Sequence, residues 1–116
     1  MNVTVILPTH NPDPGRLQRT LAGLKVQTLK TDYWETVLVD NASVPAVALD
    51  VFAKSAPTNC RVVRESRLGL TAARQCGLRE ARAPVCVLVD DDNVLAPDYL
   101  ETVIRLFSVH PHVGAL

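Results

Sequence analysis

The run Val85-Cys86-Val87-Leu88-Val89 ends directly on Asp90-Asp91-Asp92-Asn93, and few folds can use that combination. Five apolar residues in a row, rich in Val, predict a strand buried on both faces, as in the middle of a parallel sheet. Adjacent carboxylates repel one another, and packing gives nothing back for setting three of them at a strand end. A divalent cation would offset that repulsion, because a hard cation takes oxygen ligands. Open α/β sheets bind ligands just beyond the carboxyl ends of their strands, which is where this trio falls. The competing reading is a solvated loop that caps the next helix, a place Asp and Asn also favour.

The rest of the chain supplies the sheet that such a strand needs. Val3 to Leu7 reads as a first, central strand that stops at Pro8, and Thr9 to Gly15 is crowded with turn formers. Asp13 ahead of Pro14 predicts a helix start, with Leu17, Leu21, Leu24 and Val26 inward. Thr36 to Val39 and Cys60 to Arg64 read as further strands, and Pro45 to Lys54 as a helix of imperfect pattern between them. Gly69 to Arg82 predicts a helix with Leu70, Ala73, Gly77, Leu78 and Ala81 on one face. Gly77 within it marks a close helix-on-sheet contact. Pro97 to Ser108 predicts the next helix, with Leu100, Val103, Ile104 and Phe107 inward. Val113 to Leu116 reads as the start of another strand. The order predicts an α/β domain with a mainly parallel sheet and right-handed crossovers. Two strands end on acid, after Val39 and after Val89. If they are neighbours, Asp40 and Asp90 to Asp92 face one crevice.

Composition excludes several classes. A length of 116 residues suggests one core, and a formal net charge of zero gives no basic excess for nucleic acid or an anionic membrane surface. Cys60, Cys76 and Cys86 are odd in number and have neither metal-ligand nor redox spacing, so they read as buried thiols of a cytoplasmic protein. Neither a signal-peptide pattern nor a membrane-length apolar run is present.

Four segments in this order resemble the family-2 glycosyltransferases of GT-A fold. They are Val5-Ile6-Leu7-Pro8-Thr9-His10-Asn11, Val39-Asp40-Asn41-Ala42-Ser43, Gly69 through Gly77, and Asp90-Asp91-Asp92-Asn93 followed by Pro97-Asp98. The resemblance implies a Rossmann-like, mainly parallel sheet flanked by helices, covering the nucleotide-sugar (donor) part of such an enzyme. It also implies an inverting transfer of sugar from a nucleotide diphosphate to a hydroxyl acceptor, saccharide, lipid or other. Asp92 falls on the position that binds Mn²⁺ or Mg²⁺, with Asp90 orienting metal or ribose and Asp91 hydrogen-bonding the ribose. Pro8, Thr9 and His10 fall where the first loop lines base and ribose; His10 could equally be a turn residue stacking on proline. Asp40 and Asn41 fall where two acidic residues are usual, the second reading uracil. An Asn amide both accepts and donates, so base choice should be soft, and Asn41→Asp should favour pyrimidine diphosphates. Arg74 falls where it could reach base or diphosphate, or pair locally as a surface cation; Arg67 is a weaker phosphate candidate.

An inverting transferase also needs a carboxylate base for the acceptor hydroxyl. The resemblance puts that base downstream of the metal motif, with Asp98 and Glu101 too near it in sequence. The expectation is therefore a truncated fold that holds the donor part, lacks the acceptor part and is inactive in transfer alone. Self-association through an exposed C-terminal sheet edge is expected too, and in a longer protein a cytoplasmic location, peripheral to the inner face of a membrane. Two rivals stand beside this: a nucleotidyltransferase, which would favour a Gly-rich basic loop after the first strand, and a non-catalytic nucleotide-binding or interaction module.

Overall fold

The computed structural model describes residues 1–109. Strands β1 (Val3–Thr9), β2 (Trp34–Asn41), β3 (Cys60–Glu65) and β4 (Val85–Leu88) alternate with helices α1 (Pro14–Lys25), α2 (Leu70–Glu80) and α3 (Tyr99–Val109). All pairings are parallel, in the order β3-β2-β1-β4. Alternation along β1 decides the layers. Val3, Val5 and Leu7 join Leu17, Leu21 and Leu24 of α1 and Leu100 and Val103 of α3 in one core. Ile6 points the other way and packs with Val37, Val39, Ala73 and Cys76 under α2. The domain is thus three-layered, with α1 and α3 on one face of the sheet and α2 on the other.

Local chemistry accounts for the element ends. The Asp13 carboxylate accepts from the Arg16 amide at 3.0 Å and caps α1 one residue before Pro14. Gly69 precedes α2 at φ 140, a conformation that requires a residue without Cβ, and its amide donates to Asn41 Oδ1 at 2.9 Å. Gly77 lies on the central strand: a Cβ there would overlap Ile6 Cγ2 and stand 3.2 Å from its Cγ1.

Several expectations change. β4 is an edge strand among the described residues, not a central one; Cys86 is half-buried and Leu88 is 39 % exposed. The strands buried on both faces are β1 and β2. Between β2 and β3 only Leu49–Phe52 is helical, as a 3-10 turn, because the Asp40 carboxylate takes the amides of Ser43 and Val47 and holds the loop open. The buried face of α2 is Ala73, Cys76 and Gly77; Leu70 and Leu78 are exposed, since a helix set this close to Ile6 has room only for small residues. Val26 is exposed. The strand expected at Val113 to Leu116, and with it the expected C-terminal sheet edge, lies outside the described residues. The three cysteines are free, and burial pushes the Cys60 thiol up to about 12. No helix among the described residues is long and apolar enough to cross a membrane.

Candidate nucleotide-sugar site

From β1 the chain first steps outward to β2 and β3, then returns to the opposite side of β1 as β4. The order reverses between β1 and β4, which is where such sheets open a crevice at their carboxyl ends. Thr9 ends β1 there and the acidic trio follows β4. Thr9 Oγ1 donates to Asp91 Oδ2 at 2.6 Å, across the crevice. A second hydroxyl, Thr20 Oγ1 of α1, donates to the main-chain carbonyl of Asp91 at 2.7 Å. Asp91 is therefore held from two sides, at its side chain by Thr9 and at its main chain by Thr20. Its neighbours are exposed: Asp90 meets Arg74 Nη2 at 3.7 Å, and Asp92 has no hydrogen-bond partner among the described residues.

Arg74 projects from the first turns of α2 toward this group. Its Nε is buried and has no hydrogen-bond partner among the described residues, an orphan donor beside the exposed Asp90 carboxylate. Buried donors are rarely left unpaired, so the guanidinium is poised for an added oxygen ligand. Next to it Pro8, Thr9, His10, Asn41 and the Leu68-Gly69-Leu70 turn line a cleft of about 170 Å³. A larger groove of about 540 Å³ lies between Pro12, Val44, Pro45 and Phe52. No carboxylate lines either one, but the smaller cleft includes Thr9, whose hydroxyl holds Asp91, and so adjoins the acidic trio.

The other expected residues are placed differently. Asp40 does not share the crevice with the trio, because β1 separates β2 from β4. Its buried carboxylate instead accepts from Ser43 N at 3.2 Å, Val47 N at 2.9 Å and Arg64 Nη1 at 2.9 Å. Burial pushes this carboxyl up, but Ser43, the Val47 amide and Arg64 outweigh it and leave it below its ordinary 3.8. A depressed value means stability that is present above the ordinary carboxylate range and lost as pH falls through the lower folded value. Asp40→Asn should therefore flatten the acid limb of stability below about pH 4, read by denaturant unfolding at several pH values.

Asn41 is committed within the chain. Nδ2 donates to the carbonyls of Glu65 at 3.1 Å and Arg67 at 2.7 Å, while Oδ1 accepts from Gly69. The amide fastens the β3–α2 turn that forms one wall of the cleft, and both of its ends are taken by main-chain groups. Asn41→Asp would set a carboxylate against two carbonyls. The expected result is a loss of about 1–3 kcal/mol in stability, without the shift toward pyrimidine diphosphates that the sequence suggested. Thermal unfolding and a ranking of UDP, dTDP and GDP affinities check both halves. His10 Nδ1 lies 2.6 Å from the Asn41 carbonyl, so Nδ1 carries the proton and Nε2 accepts from Asn11 Nδ2 at 3.3 Å. Arg67 pairs with Glu65 at 3.1 Å, away from Asp90 to Asp92.

No three His, Cys, Asp or Glu side chains converge as a metal cage among the described residues. Asp90 and Asp92, both exposed, could hold only a cation of another kind, one that takes one or two carboxylates and completes its shell with water and phosphates.

Sequence reasoning missed the α1 contacts. Gln27 Nε2 donates to Ala96 O at 2.8 Å, its Oε1 accepts from Leu100 N at 3.1 Å, and Thr28 N donates to Pro97 O at 2.8 Å. Thr20 and Gln27 share the 3-4 spacing of Leu17, Leu21 and Leu24, and a polar residue on an apolar stripe has to find a partner.

The chain matches the family model described as Glycosyl transferase family 2 over residues 4–116. It is 33 % identical over 101 residues to the succinoglycan biosynthesis protein ExoW of Rhizobium meliloti, covering 84 % of this chain and 31 % of that protein. It is 30 % identical to validoxylamine A glucosyltransferase of Streptomyces hygroscopicus, covering 88 % of this chain and 23 % of that one. Its fold is similar to that of S. aureus TarS 1–349, solved in complex with UDP-GlcNAc, with a TM-score of 0.79 at 21 % identity, over 96 % of this chain and 32 % of the other. The chain thus spans a third or less of the length of each of these proteins.

Proposed function

The chain belongs to glycosyl transferase family 2 and has the GT-A fold, and from that premise we propose that it is the donor-binding part of an inverting, metal-dependent sugar transferase. The donor is a nucleoside diphosphate sugar, with its base against Pro8, Leu68 and Leu70 and its diphosphate toward Asp90, Asp92 and Arg74. The observation that carries this reading is the acidic trio at the β1/β4 crevice, with Asp91 clamped, its two neighbours exposed, and the orphan Arg74 Nε alongside. Solved complexes of TarS 1–349 with UDP and with UDP-GlcNAc support the choice of ligand class.

Each residue has a role in this reading. Asp92 and Asp90 hold Mn²⁺ or Mg²⁺ jointly with the diphosphate, and a cation bound there supplies Lewis-acid charge to the departing phosphates. Arg74 donates to a phosphate oxygen and satisfies its Nε. Asp91, with Oδ2 occupied by Thr9, keeps Oδ1 for a ribose hydroxyl. The N-terminus of α2 faces the same space and favours negative charge. The carboxylate that deprotonates the acceptor hydroxyl comes, in this proposal, from the further length that the related proteins carry. Calorimetry with UDP is the test. Binding should be tighter in Mn²⁺ than in EDTA, and equal affinity in the two would overturn the assignment of Asp90 and Asp92.

A further inference from the structure

Helix α1 and the residues just after it hold the segment that follows β4. Thr20 takes the Asp91 carbonyl, Gly23 lies where a Cβ would stand 3.0 Å from Val94, and Gln27 bonds Ala96 and Leu100. Only the first of these contacts reaches the acidic trio. We infer that Thr20 is a positioning residue for the metal that the diphosphate shares, acting through the main chain of Asp91 to orient Asp92; this rests on the function proposed above.

The argument is geometric. Asp90, Asp91 and Asp92 are consecutive, so the direction in which each carboxylate points follows from the peptide planes between them. Thr9 fixes the side chain of Asp91, but a side-chain bond alone leaves the peptide that follows free to rotate. The Asp91 carbonyl belongs to the plane that joins Asp91 to Asp92, and Thr20 Oγ1 fixes that plane at 2.7 Å. The hydroxyl is also 3.1 Å from the Arg16 carbonyl, the ordinary bond of a helical threonine to its preceding turn. The shorter of the two goes to Asp91. Thr20 is 1 % exposed and sits on a helix, so its reference frame is rigid. Without this bond Asp92 would sample orientations in which it cannot share a cation with a diphosphate held by Asp90 and Arg74.

The test compares Thr20→Val, which removes the hydroxyl at nearly constant shape, with Thr20→Ser, which restores it. For each full chain the dissociation constant of UDP is measured in Mn²⁺ and in EDTA. Mn²⁺ bound in the presence of UDP is read separately by electron paramagnetic resonance. Partners that orient metal ligands are worth about 10–100-fold in metal affinity. The Val variant should therefore lose at least about tenfold of the Mn²⁺-dependent gain, with UDP affinity in EDTA unchanged, and Ser should regain it. A Val variant with a lower melting temperature but the wild-type Mn²⁺ gain would overturn the inference, as would an equal loss in Mn²⁺ and EDTA. If Val does not fold, Thr20→Ala removes the same hydroxyl and is read by the same two outcomes. A wild-type chain with no Mn²⁺ gain removes the underlying reading and this inference with it. A gain that survives loss of the hydroxyl removes this inference alone.

Discussion

Asp92→Ala should weaken UDP binding in Mn²⁺ on the order of 10²-fold and leave binding in EDTA close to that of the wild-type chain. A cation at a phosphate oxygen contributes several kcal/mol of charge stabilisation, and each 1.4 kcal/mol is about tenfold. Asp92 is exposed and has no hydrogen-bond partner among the described residues, so its removal withdraws a ligand without disturbing the fold. Surface changes of this kind stay within about 0.5 kcal/mol in stability. Asp91→Ala is the informative contrast. It breaks the bond from Thr9 that ties β1 to the β4 loop. Its effect should appear in the melting temperature and in UDP affinity under both conditions. Calorimetry paired with thermal unfolding separates the two variants. An Asp92→Ala chain that keeps the full Mn²⁺ gain would assign the cation to other ligands.

The second large effect is on stability and comes from a methyl group. Gly77→Ala replaces the poorer helix former with the best one, which on an exposed helix gains about 1 kcal/mol. Here the new Cβ falls on Ile6, a β-branched side chain with no exposure in the central strand, leaving it no room to rotate away. Overpacking of this kind costs about 1–3 kcal/mol, and lifting α2 off the sheet would also open the wall of the cleft. The expected result is a net loss of stability despite the better propensity, with a larger loss for Gly77→Val. The double variant Gly77→Ala with Ile6→Val should recover part of it, since the coupling is between two touching groups. Denaturant unfolding of the parent, Gly77→Ala, Ile6→Val and the double variant measures that coupling directly. A Gly77→Ala chain more stable than its parent would mean that the close approach is not there.

The parts of this molecule that could be read from its sequence are those governed by one residue's own chemistry or by simple periodicity. Asp13 before Pro14 announces α1, the stripe of Leu17, Leu21 and Leu24 gives its buried face, and Val3 to Leu7 can scarcely be anything but a strand. Gly77 was legible for the same reason, as a residue whose cost within a helix needs a packing explanation. Several misreadings turn on a partner that lies outside the segment being read. Pro45 to Lys54 has enough apolar residues for a helix, but the Asp40 carboxylate binds the amides of Ser43, just before it, and of Val47 within it, and its first residues stay open. Asn41 stands where a base-reading group was expected, and nothing local reveals that Glu65, Arg67 and Gly69 will claim its amide. Val85 to Leu88 has the composition of a central strand, and only the strand order reveals that it is an edge of the described sheet. The acidic trio was legible as a group. Which of its members is held and which are free depended on two threonines far away in the chain.

The order β3-β2-β1-β4 has a consequence for synthesis. Strand β1, which pairs with both β2 and β4, is the first to leave the ribosome, and one of these two neighbours follows within about thirty residues. Its other neighbour arrives far later: the bond between Thr9 and Asp91 joins residues 82 positions apart. Until then one side of β1 offers unpaired amides and carbonyls, a template for any extended chain nearby. The crevice between β1 and β4 is therefore among the last features to form, and a nascent chain stopped before β4 would keep the adhesive edge without a ligand to quench it. Ribosome-bound chains of increasing length should acquire nucleotide binding in one step, after α3 has cleared the exit tunnel, and should be most prone to aggregate just before it.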